Sequence, residues 1–131
     1  MGLENGIRIK DAKRKQLFLW PFHYPFDMDF EDGVDVCYWR KCWGLRRNVM
    51  LEIVGTNDDD GGEYELNVAQ VKRIRKLVNS YLHEPHWWEE NAYWSFDESV
   101  RILRYDKWNL FWLKWWMLTH PKRTVFFYDS P

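Results

Sequence analysis

Ser95-Phe96-Asp97-Glu98-Ser99-Val100-Arg101-Ile102-Leu103-Arg104-Tyr105-Asp106-Lys107-Trp108-Asn109-Leu110-Phe111-Trp112-Leu113-Lys114-Trp115-Trp116-Met117-Leu118-Thr119-His120-Pro121 reads as one long helix near the end of the chain. Ser95 and Glu98 form a capping box at its start, and Pro121 stops it near His120. At about 1.5 Å rise per residue it spans roughly 36 Å. Val100, Leu103, Leu110, Leu113 and Met117 form an aliphatic face, and Tyr105, Trp108, Trp112, Trp115 and Trp116 an aromatic one. One small sheet does not satisfy both faces. Such a helix lies between layers or keeps a face for a partner.

Working outward, Asn67 N-caps a second helix, with Gln70 at the capping-box position. Val68, Val71, Ile74, Leu77 or Val78, and Tyr81 or Leu82 make its buried face; Lys72, Arg73, Arg75 and Lys76 make a basic outer one; His83-Glu84-Pro85 ends it. A first helix is expected from Asp35, as N-cap, to a Gly55 C-cap. Its stripe would be Tyr38, Cys42, Leu45, Val49 and Ile53, with Trp39, Trp43, Met50 and Val54 in a second row. Gly6–Lys10 alternates as a short strand, Leu17–Trp20 reads as a buried strand, and Glu63–Leu66 and Thr124–Tyr128 as strands that pair. Pro21 and Pro25 break the aromatic stretch between Pro21 and Phe26 into a loop, and Thr56–Gly62 is an acidic turn. The expected fold is α+β: three helices on a small, mainly antiparallel sheet of two to three strands. Residues 1–131 form one domain, and residues 1–34 an irregular aromatic-rich N-terminal segment.

Composition narrows the function classes. The chain has 131 residues and a formal net charge of -1, from 19 basic and 20 acidic residues. That balance argues against a dedicated duplex-DNA binder. The start lacks the apolar core of a signal peptide, and no apolar run is long enough to span a membrane, which points to a cytoplasmic protein with no membrane partner. Cys37 and Cys42, five apart on an expected helix, lie on different faces and are read as reduced thiols. The unusual feature is aromatic content: 10 Trp, 7 Tyr and 8 Phe. Ten buried tryptophans represent about 1,500–2,500 Å², against a folded surface of about 7,500 Å² expected for this size. Some rings should therefore stay partly exposed, and exposed aromatics mark binding surfaces.

The Trp108, Trp112, Trp115, Trp116 stripe, with Tyr105, is the first candidate site, a partner-binding surface; the alternative is that it is core. The second is Trp39, Arg40, Lys41, Trp43, Arg46 and Arg47, where basic residues interleaved with aromatics could hold phosphate or stack bases. The competing reading is a helix with a core face and a solvated charged face. His83 and His86 are separated by a helix-breaking proline and lack further ligands nearby, so no metal is expected. Asp27–Asp32 and Asp58–Asp60 lack the calcium-loop pattern. No G-x-S-x-G, P-loop or G-x-G-x-x-G motif is present, and no cofactor or catalytic residue is assigned.

The run Tyr38-Trp39-Arg40-Lys41-Cys42-Trp43 and the ending Val125-Phe126-Phe127-Tyr128-Asp129-Ser130 resemble small uncharacterised proteins of bacteriophages and bacterial mobile elements. The resemblance implies an accessory protein acting against a host defence system, by binding a host protein or sequestering a small signal. Three expectations follow. The first is a non-enzymatic binding protein that inhibits or modulates a host protein through its Trp-rich and charged surface. The second is a pocket for a nucleotide-like small molecule between Trp rings. The third is a binder of single-stranded RNA or DNA. A homodimer through the second apolar face of the last helix is a further use of that surface.

Overall fold

The computed structural model describes residues 4–23, 29–30, 32–40, 43–56, 61–83 and 96–130, with Asp29, Phe30, Trp43 and Phe96 described by their backbone alone. The expected readings on Pro25, Phe26, Lys41, Cys42, Asp58–Asp60, His86 and Ser95 lie outside the described residues. In chain order the elements are β1 (Glu4–Lys10), a 3₁₀ turn (Arg14–Leu17), β2 (Asp29–Phe30), β3 (Gly33–Arg40), α1 (Trp43–Asn48, continued by a π turn Val49–Val54), β4 (Gly62–Glu65), α2 (Val68–His83), α3 (Phe96–Thr119) and β5 (Val125–Ser130). The sheet is antiparallel in the order β2-β3-β1-β5-β4. The fold is α+β, with three helices among the described residues. Four strands and the two-residue β2 edge make a wider sheet than the two to three strands expected.

The middle of the sheet lies in the segment read as irregular. In β1, Asn5, Ile7 and Ile9 are fully buried on one side. The side chains between them, Arg8 among them, point to the other, as strand alternation requires. β1 pairs with β3 on one edge and β5 on the other, so it joins the chain's start to its end. Gly6 is required there: a Cβ would lie 2.2 Å from the Cys37 carbonyl oxygen and 3.0 Å from the Tyr128 hydroxyl.

β3 corrects the expected first helix. Residues 33–40 are a strand, and the helix starts only at Trp43. Val34, Val36, Tyr38 and Trp39 favour a pleated surface, and a free strand edge on β1 settles the matter. The pairing carries a bulge, because Ile7 faces Cys37 while Arg8 faces Asp35, leaving Val36 as the extra residue. Cys37 and Trp39 thus join Ile7 on the helix side, and Asp35 joins Arg8 on the other. From Trp43 on, the expected stripe holds: Leu45, Val49, Met50 and Ile53 are buried. Gly55 caps this helix in the left-handed conformation at φ 85°, its N–H donating to the Met50 carbonyl at 2.8 Å.

Leu17–Trp20 is likewise not a buried strand. Leu17 closes the 3₁₀ turn and is buried, but Phe18 and Leu19 are 78% and 82% exposed. The Trp20 and Phe22 amides donate to the carbonyls of Leu17 and Trp20, and tight turns replace a ladder. The expected capping box of α2 is present. The Asn67 amide donates to Gln70 Oε1 and the Gln70 amide to Asn67 Oδ1, both at 2.8 Å. Its face of Val71, Ile74, Val78 and Tyr81 packs inward. The β4–β5 pair also forms as expected, Glu63 facing Tyr128 and Tyr64 facing Phe127.

Candidate interaction surface on the last helix

α3 sorts its residues by angle. Ser99, Ile102, Leu103, Asp106, Asn109, Leu110, Leu113 and Trp116 recur at helical spacing and are buried against α2 and the sheet. Arg101, Arg104, Trp108, Trp115, Leu118 and Thr119 lie on the opposite arc and are exposed. Trp108 is 45% exposed, Trp115 44% and Leu118 54%, whereas Trp116 is 2% exposed. Tyr105, Phe111, Trp112 and Lys114 flank the open arc and are half-buried.

The chain itself covers one flank of the aromatic stripe. Trp20–His23 runs along α3 and is clamped by Asn109. This side chain accepts the His23 N–H at 2.8 Å and donates to the carbonyls of His23 at 2.9 Å and Val36 at 2.8 Å. The His23 ring lies 4.9 Å from Tyr105 and 5.8 Å from Trp108, and Trp108 donates its indole N–H to the Pro21 carbonyl at 2.5 Å. Trp116 stacks on His120 at 4.4 Å, and His120 lies 6.1 Å from Trp20. The five stripe residues therefore divide. Trp116 is core, Tyr105 and Trp112 are walls, and Trp108 and Trp115 stay open, with Leu118 as a third apolar residue beside them.

Cations edge the open rings. Lys114 Nζ sits 4.9 Å from both the Phe111 and the Trp115 rings. The Arg75 guanidinium lies 5.4 Å from Phe111 and donates to the Lys107 carbonyl at 3.1 Å. Phe111 and Trp112 meet edge to face at 5.2 Å, and Trp112 meets Trp108 at 6.0 Å. Such contacts hold the rings in place, so the surface is pre-organised.

Two members of the second candidate set, Trp39 and Arg46, are engaged inside the fold. Trp39 is 1% exposed and donates its indole N–H to Asp106 Oδ2 at 2.7 Å, so it does not stack on a base. Arg46 is bound bidentately to buried Asp129, at 2.8 and 2.6 Å. Arg40 is half-buried and Arg47 exposed, Lys41 lies outside the described residues, and Trp43 is described by its backbone alone. The physical reason is the strand: alternation through residue 40 sends Trp39 inward, and Arg46 in the helix that follows is bound to Asp129.

Asp106 is an interior polar group that the reading of the sequence misses. Asp106 is a buried acid whose carboxyl is pushed up to about 8 by burial, against the opposing pull of its hydrogen bonds from Trp39 and Cys37. The Cys37 thiol, fully buried beside it, is raised by burial and by the Asp106 charge. The spacing Leu103, Asp106, Leu110, Leu113 was the available signal, an acid on an apolar stripe. Across the sheet, Asp35 is buried and receives Arg8 Nε at 2.5 Å and the Tyr128 hydroxyl at 2.5 Å. Burial raises its carboxyl, and the hydrogen bonds from Arg8 and Tyr128 offset part of the rise. This network ties β1, β3 and β5 together.

The described residues form shallow recesses, of which two stand out. One of about 340 Å³ is lined by Glu52, Ile53, Arg73, Lys76, Leu77 and Ser80. The other, of about 540 Å³, is lined by Asp97, Val100, Arg101, Arg104 and Tyr105. Neither is lined by a tryptophan. Among the described residues no three His, Cys, Asp or Glu side chains converge as a metal site, and no helix is long and apolar enough to cross a membrane. No family model, no curated protein and no solved structure matches this chain.

Proposed function

We propose that this chain is a small binding protein that docks a protein partner on the open arc of α3. The observation that carries the reading is the pair Trp108 and Trp115, each close to half exposed on a helix whose Trp112 is half-buried and whose Trp116 is buried. A large ring left in water forgoes the free energy of burial, at about 25 cal/mol per Å², and interface hot spots are rich in Trp. The resemblance of Tyr38–Trp43 and Val125–Ser130 to phage and mobile-element proteins supports a bacterial host protein, such as a defence component, as the partner. In that reading the chain inhibits or modulates its target by occupying a surface and needs no chemistry of its own.

The test is partner capture from bacterial lysate by the full chain and by Trp108→Ala/Trp115→Ala, with circular dichroism of both. The expected result is a specific partner held by the parent chain and lost by the folded double variant. Equal capture by both proteins would remove α3 as the docking face.

A further inference from the structure

We infer that the partner segment seated on α3 is acidic: a protein segment carrying apolar anchors flanked by Asp or Glu. This rests on the docking face proposed above and adds the chemistry of what covers it.

The charge of the chain is segregated. Although the formal net charge is -1, α2 and α3 together carry Lys72, Arg73, Arg75, Lys76, Arg101, Arg104, Lys107 and Lys114 against three carboxylates. Two of these, Asp97 and Glu98, sit in the first turn of α3, where the helix dipole favours them. The third, Asp106, is buried against Trp39. Beyond the first turn, the outward face of α3 is therefore cationic and aromatic, with no exposed carboxylate. Arg101 and Arg104 line a recess with Asp97, Val100 and Tyr105, one turn before Trp108, so its two guanidinium groups outnumber its one carboxylate. Trp108 and Trp115 lie two turns apart, about 10 Å along the axis, and Lys114 lies over the Trp115 ring. A segment laid along α3 thus meets paired guanidinium groups first, then apolar rings beside an ammonium. Carboxylates match the first, Leu or aromatic side chains the second, in the manner of an amphipathic segment in a groove.

Two other occupants fit less well. A second copy of the chain would set the same cations against each other, a like-charge juxtaposition that costs affinity. A single-stranded nucleic acid needs open ring faces for stacking. Here Trp108 is held by His23, Trp112 and the Pro21 carbonyl, and Trp115 carries Lys114.

The experiment selects 16-residue peptides from a random display library on the full chain and titrates the enriched peptides by fluorescence polarisation. The titrations use the parent chain, Arg101→Glu/Arg104→Glu and Trp108→Ala/Trp115→Ala, at two salt concentrations, with a fluorescent dT20 oligonucleotide as a parallel probe. Circular dichroism verifies the fold of each variant. The expected result is peptides that join Asp or Glu to Leu, Phe or Trp. Their binding should weaken about tenfold or more on charge reversal and fall with salt. Acid-free peptides that need the Trp pair but ignore charge reversal would overturn the acidic partner and leave the docking face standing. Peptides indifferent to both variants would overturn both. No enrichment, tighter binding of the oligonucleotide, or a concentration-dependent dimer abolished by the Trp variant would also overturn the acidic partner.

Discussion

Asp106→Asn should change how the stability of this protein depends on pH. Asp106 is 3% exposed, and its Oδ2 accepts the Trp39 indole N–H at 2.7 Å. Burial lifts its carboxyl from an ordinary 3.8 to about 8. In the unfolded chain the group loses its proton near pH 4, whereas the folded chain keeps it until about pH 8. The folded state binds the extra proton throughout that window. Asp106 therefore supports the fold fully below pH 4, and its contribution declines as pH rises, at about 1.4 kcal/mol per pH unit. Integrated across the window the loss is on the order of 6 kcal/mol. Asparagine keeps a carbonyl acceptor for Trp39 and does not ionise. Near pH 4 the variant should be equal to the parent or about 1 kcal/mol less stable, because its amide N–H groups need acceptors. Near pH 8 it should be the more stable protein by a few kcal/mol. Urea unfolding of both proteins at half-unit pH steps gives the difference directly, and groups common to both cancel. A difference that stays flat between pH 5 and 8 would refute the argument and mean that the carboxylate is ionised in the folded protein.

Three further outcomes follow from the packing. Arg8→Met leaves the Asp35 carboxylate, with a fully buried side chain, without its cation. The variant should lose about 3–5 kcal/mol in urea unfolding. Trp116→Ala should cost about 3–5 kcal/mol, while Leu118→Ala, on an exposed position, should stay within about 1 kcal/mol; comparable losses from the two would show that the inward and outward arcs of α3 are assigned wrongly. Gly6→Ala places a methyl group 2.2 Å from the Cys37 carbonyl. It should lower the melting temperature through a loss of about 1–3 kcal/mol or more, seen as a shift in thermal unfolding by circular dichroism.

What the sequence determined by itself was local. The Asn67–Gln70 box, the period of Val71, Ile74 and Val78, the Gly55 cap and the alternating Glu63–Leu66 and Thr124–Tyr128 runs each carry their signal within a few residues. The two later helices and the β4–β5 pair were legible for that reason. Residues 33–40 were not, because Asp35 reads equally well as an N-cap and as a polar strand residue. Only the edge of β1, far away in sequence, makes it a strand. That same pairing, with its bulge at Val36, sent Trp39 inward and removed it from the expected basic-aromatic surface. On α3 the period showed two apolar faces but not which rings would be covered. Trp115 and Trp116 are neighbours in the chain and 100° apart around the helix. One stays in water and the other lies in the core because Trp20–His23, the sheet and α2 close over one side only. Burial is a property of what lies across a surface, and tertiary structure alone supplies it.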